Sequence, residues 1–154
     1  MLRSKRSKGW WNADEGSASL EFITTGVILL VPLVYLIVAL ASIQAGALAV
    51  EGAARQAARV YVQSATPEAG RAAAARAVEF ALADHGFEAK AASMTVACAP
   101  IPDTCLNRGG SVIVTVRLQA ALPLVPSIFD FRTAASVPLS SSAAQTVSRF
   151  WGAG

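Results

Sequence analysis

From Phe22 to Val50 the chain runs for twenty-nine residues without a formal charge, through FITTGVILLVPLVYLIVALASIQAGALAV. As an α-helix this run is about 44 Å long, against a hydrocarbon core of roughly 30 Å. In lipid a single apolar segment satisfies its own backbone only as a helix, so the run fixes one element outright and limits everything else. Of the 154 residues, the remainder suffices for one small domain. The hydrophobic content of 54% and the mean hydropathy of +0.48 exceed what a soluble domain of this size carries, which agrees with membrane insertion rather than a large interior.

Charge is placed asymmetrically around this run. Arg3, Lys5, Arg6 and Lys8 precede it, accompanied within residues 1–16 by Asp14 and Glu15 as the only acids. Beyond residue 16 the chain has nine basic and eight acidic residues, scattered, so no basic patch points to nucleic acid. The N-terminal cluster is instead a topology signal. Basic residues stay on the cytoplasmic side, which predicts a single-pass protein of the cytoplasmic (inner) membrane with its N-terminus in the cytoplasm and its C-terminal domain outside. Trp10 and Trp11 fit an interfacial anchor pair.

The periodicity predicts an α+β fold: a long N-terminal transmembrane and amphipathic helix, a second helix, and a small antiparallel sheet of about three strands. The first helix is expected from about Ser19 to Gln63. It is apolar to Val50 and then one-sided, with Glu51, Arg55 and Arg59 every four residues on one face and alanine, valine and tyrosine opposite. Pro32 removes one backbone donor and should kink or loosen it. Thr66 is a plausible N-cap before Pro67, and the second helix should run to about Asp84, closing at Gly86, with Arg76 and Glu79 able to pair. Beyond Lys90 the period becomes two. Met94, Val96 and Cys98 form one alternating set and Val112, Val114, Val116 and Leu118 another, with a third strand expected in FDFRTAASVPL and SRFWGAG as a short amphipathic or disordered end. The chain thus divides into a basic leader over 1–16, a transmembrane helix over 17–50 and an extracytoplasmic α+β domain over 51–154.

Glu21 stands at the front edge of the apolar run. An acid carried into hydrocarbon costs about 2.5–3.5 kcal/mol on insertion scales, so either it has a function or it stays hydrated at the interface. Its context is a basic leader, Gly16, the stretch SASLE and then the long apolar helix. This arrangement resembles the substrates of prepilin peptidase, which share a glycine, a cut after it, a glutamate five residues on and an apolar helix. With the following EGAARQAAR, the stretch GSASLEF is more narrowly similar to the TadE-like pseudopilins of tight-adherence (Flp-type) pilus systems. Residues 14 to 60 carry the resemblance well, the strand-rich end more loosely. Pro32 lies deeper in the helix than the family's pattern has it.

The resemblance implies cleavage between Gly16 and Ser17, where a small, extended glycine site admits the protease, and a role for Glu21 as assembly latch. It implies as partners a prepilin peptidase, other pilins or pseudopilins and the inner-membrane pilus assembly platform. A new amine at Ser17 is positive at neutral pH, and Glu21 follows one helical turn later, so the two neutralise each other within one subunit or between staggered neighbours. Small residues such as Gly26, Ala45, Gly46, Ala49 and Ala53 are expected to let helices approach closely.

Cys98 and Cys105 fall in the domain predicted to lie outside, where disulfides persist. They enclose APIPDT, and a structural disulfide is expected rather than free thiols. The spacing is neither C-x-x-C nor part of a zinc-ligand set, so no metal site is expected. His85, the only histidine, closes a helix, and Ser140, Ser141 and Ser142 lie in no nucleophile motif. Paired catalytic carboxylates and phosphate loops are absent from the sequence, so we expect no catalytic residues, no cofactor, no small-molecule substrate and no enzymatic activity. The competing reading is a membrane-anchored or secreted binding domain that prepilin peptidase does not process. Ala47 to Ala49 satisfy the small-residue rule of signal peptidase, but the apolar run is about twice the roughly 7 to 15 residues of a signal-peptide core.

Overall fold

The computed structural model describes residues 15–102, 104–123 and 136–152. In chain order they form helix α1 (Glu15–Val62), helix α2 (Pro67–Ala83), a 3-10 turn (Ala89–Ala91), and strands β1 (Ala92–Ala99), β2 (Ser111–Ala121) and β3 (Ser136–Thr146). The α+β class is as expected, with three antiparallel strands in the order β1-β2-β3. The chain divides into two compact units, Met1–Val38 and Ala39–Gly154.

The N-terminal unit is helical from Glu15 onward, starting about one turn earlier than Ser19, and α1 stays helical through Pro32. A proline inside a helix costs one backbone bond, but the helix around it keeps its remaining ones. In this unit every described side chain from 18 to 38 is exposed except the half-buried Tyr35.

The C-terminal unit holds the core. On α1 the buried positions Val50, Ala53, Ala54, Ala57, Ala58 and Tyr61 follow helical spacing, while Arg55 and Arg59 face solvent and Arg55 pairs with Glu51. α2 contributes Ala74, Val78 and Leu82. Its start is as expected, with the Thr66 hydroxyl accepting from the Ala69 N–H and Pro67 in the first turn. Its end is a Schellman closure, in which Phe87 N–H bonds Leu82 C=O, Gly86 N–H bonds Ala83 C=O, and Gly86 sits at φ +78 where a side chain would be strained. Arg76 and Glu79 do not pair; both are exposed.

β2 is the central strand. Val112, Val114, Val116 and Leu118 are buried against the helices, and the intervening Thr115, Arg117 and Gln119 face outward, so the sheet covers its core on one face and meets water on the other. On the wet face the Thr115 and Ser142 hydroxyls hydrogen-bond across strands at 2.8 Å. The third strand departs from expectation. Its proposed first part, 129–135, lies outside the described residues, and the strand runs seven residues past Leu139 to Thr146. Ser140–Thr146 is small and polar, with little intrinsic strand preference. Its pairing with β2, Thr115 opposite Ser142 and Ile113 opposite Ala144, makes it a strand.

At Gly46 α1 comes close to the sheet side. A Cβ there would lie 2.6 Å from Leu139 Cδ1, 3.2 Å from Phe87 Cζ and 3.6 Å from the Ala120 Cβ. After β3, Trp151 packs on the core and donates its indole N–H to Ser64 C=O at 3.1 Å, while Arg108 Nε–H donates to Trp151 C=O. Trp151 therefore fastens this segment to the α1–α2 connection, while Phe150 is exposed and the last two residues of SRFWGAG, 153–154, lie outside the described residues.

Two contrasts follow from this packing. Gly52, in the same helix but with nothing within 4 Å of its added Cβ, should gain about 0.5–1 kcal/mol of stability as Gly52→Ala, whereas Gly46→Leu should lose about 1–3 kcal/mol. The Tyr61 hydroxyl is buried and forms no hydrogen bond of ordinary geometry among the described residues, with the Arg71 guanidinium as a charged group that acts on it, so Tyr61→Phe should be neutral or more stable by up to about 1 kcal/mol. Denaturant unfolding of the full chain in detergent checks all three, and a destabilised Tyr61→Phe would mean that the hydroxyl has a partner.

Candidate functional site

An ordinary amphipathic helix shows water one polar face and hides the other. In the N-terminal unit α1 instead presents apolar side chains all round. Phe22 is 80% exposed, Leu29 68% and Leu33 51%. Fully burying one such side chain is worth about 1.5–3 kcal/mol, so this surface is unfavourable in water and favourable in hydrocarbon. By length and composition α1 is able to cross a membrane. Glu21 is the only charged side chain from Ala18 to Val50, and it is exposed. Beside it Phe22, Gly26, Leu29 and Leu33 line a shallow groove on this helix, and a Cβ on Gly26 would touch nothing within 4 Å.

Gly16 and Ser17 lie in the first turn of α1, so the proposed cleavage site is helical rather than extended. The first turn of a helix lacks partners for its N–H groups and frays readily. Ser17 and Glu21 are four residues apart in that helix, one turn, which places the backbone of one above the other.

The expected stripe of small residues splits between two uses. Ala49 and Ala53 are 1% and 0% exposed and Gly46 is buried, all within the domain core, so they serve packing inside the chain. Gly26 and Gly52 retain open space.

The cysteines form the disulfide Cys98–Cys105, with Cα atoms 5.0 Å apart. It joins the end of β1 to the loop leading into β2, beside the buried Leu106, and encloses a cis Ala99–Pro100 peptide. Glu21 belongs to the N-terminal unit and the disulfide to the C-terminal one. His85 is exposed after α2, and Ser140–142 lie within β3. Among the described residues no three or more His, Cys, Asp or Glu side chains gather into a metal-binding group. Trp151 carries no local sequence signal of its role, because its partner Ser64 is eighty-seven residues away in the chain.

No family model, no curated protein and no solved structure matches the chain.

Closing this eight-residue loop restrains the unfolded chain by about 2.5 kcal/mol in the loop-entropy account. The double variant Cys98→Ser/Cys105→Ser should therefore unfold with a stability lower by about that amount, and reductant should have the same effect on the native protein. An unchanged unfolding midpoint in both cases would show that the bridge does not stabilise the domain.

Proposed function

We propose that this chain is a TadE-like minor pilin or pseudopilin, cut between Gly16 and Ser17 and assembled through α1 in a tight-adherence (Flp-type) pilus or its secretion machinery. The observation that carries the reading is the α1 segment from Ser17 to Val50: a helix apolar on every face, with Glu21 as the single charge of that segment, one turn after Ser17. On this reading the basic residues at 3, 5, 6 and 8 hold the leader in the cytoplasm, α1 crosses the inner membrane and the domain stands outside. The peptidase removes residues 1–16 and leaves a protonated amine on Ser17.

In an apolar assembly that amine and the Glu21 carboxylate require each other. A buried ion pair contributes little net stability, yet a subunit in the wrong register leaves an unpaired charge, which is strongly unfavourable. Glu21 thus acts through register, by excluding misaligned neighbours. Other pilins or pseudopilins and the assembly platform are the partners.

The alternative cut after Ala49 is disfavoured by packing. Ala49 and Val50 are 1% and 2% exposed inside a helical turn of the core, and cleavage there would strip Gly46 and Ala49 from the domain.

The test is the intact mass and N-terminal sequence of the protein from membranes of cells with and without a prepilin peptidase. We expect a peptidase-dependent N-terminus at Ser17, abolished by Gly16→Leu. Glu21→Gln should leave cleavage intact and reduce co-assembly with other pilins by tenfold or more. An N-terminus that ignores the peptidase would end the reading.

A further inference from the structure

Among the described residues the sheet is open along β3. This strand is outermost in the order β1-β2-β3 and pairs with β2 along one side only. An outer strand offers a row of backbone N–H and C=O groups to any extended chain, and folded proteins blunt such edges with charges, prolines, bulges or brevity. β3 has eleven residues, none of them Asp, Glu, Lys or Arg, and its one proline, Pro138, stands near its start. From Leu139 to Thr146 none of the charged or proline devices is present. The other outer strand, β1, is shorter at eight residues, touches α2 and the 3-10 turn, and ends in the disulfide.

Beside the open part of β3 runs a groove of about 300 Å³, between Gly52, Arg55 and Arg59 on α1 and Ala143, Ala144 and Gln145 on β3. Its walls are small, and Gly52 leaves open space where a side chain would fill it. Its charge is positive. Arg55 is engaged by Glu51, whereas Arg59, exposed one turn further on, has no acidic partner among the described residues.

We propose that this edge and groove bind an extended segment of a partner protein, which adds a fourth strand beside β3 and sets a carboxylate side chain on Arg59. Backbone hydrogen bonds to β3 supply affinity, and the two-residue repeat of the added strand turns alternate side chains toward the groove. Charge selects a foreign strand over a second copy, because β3 paired with β3 brings no carboxylate to Arg59. The inference stands on the C-terminal unit alone, and so survives or fails separately from the cleavage at Gly16.

The test uses the full chain in nanodiscs, panned against random eight-residue peptides displayed on phage, with empty nanodiscs as the control. We expect the enriched peptides to share one Asp or Glu among β-branched residues and to protect amides of residues 139–146 from hydrogen exchange. Binding of a synthetic peptide with that acid should weaken at least tenfold against Arg59→Glu, an exposed substitution that leaves the fold intact, and its Lys counterpart should prefer that variant. No enrichment, enrichment without an acid, protection elsewhere, or equal binding to Arg59→Glu would each overturn the proposal. A concentration-dependent dimer that protects the same amides without peptide would assign the edge to a second copy and overturn it equally.

Discussion

The C-terminal unit depends on how closely α1 lies against its neighbours. Most of its core-facing positions are alanine, with Gly46 where Leu139, Phe87 and Ala120 converge and Tyr61 where the ring meets Gly70. Small side chains bring backbones near, and the bulk that fills the core comes from the partners: valines of β2, Leu118, and Leu82 of α2. Packing at crystalline density leaves little tolerance for one added methylene on either side. Among the described residues the sheet has three strands and a single covered face, and its valines are buried there.

One helix obeys two rules along its length. To about Val38 its side chains are apolar on every face, and from Ala39 onward burial becomes one-sided. The change of pattern, from all-round apolarity to a stripe with Arg55 and Arg59 outside it, requires no break in the backbone, because helical hydrogen bonds are indifferent to which solvent the side chains meet. The same 48-residue helix thus contributes an apolar stretch to the N-terminal unit and core positions to the C-terminal one.

The fixed points of the C-terminal unit are spread through the sequence. The disulfide closes a short loop, Gly86 closes α2, and Trp151 reaches back to Ser64. The first two are local and legible as residue types in order. The third is a long-range bond from an indole whose flanking residues are ordinary, and nothing nearby in the chain announces it.

The sequence by itself determined the elements whose cause is local: the apolar run, the Thr66–Pro67 start and Gly86 end of α2, the two-residue alternation of β1 and β2, and the pair of cysteines across six residues. Each rests on interactions within a few residues, and these survive reading one residue at a time. Glu21 and Gly16 were legible as a pattern, though the helical state of Gly16 was not, since helix ends are set by one turn of bonding either way. Tertiary structure alone decided the rest. Ser140–Thr146 became a strand because β2 offered it a ladder, Ala49 and Ala53 went to the core rather than to a neighbouring helix, and Gly46 acquired its purpose from Leu139, ninety-three residues away. In each case the energy comes from a contact between distant segments, which a local pattern of side chains does not encode.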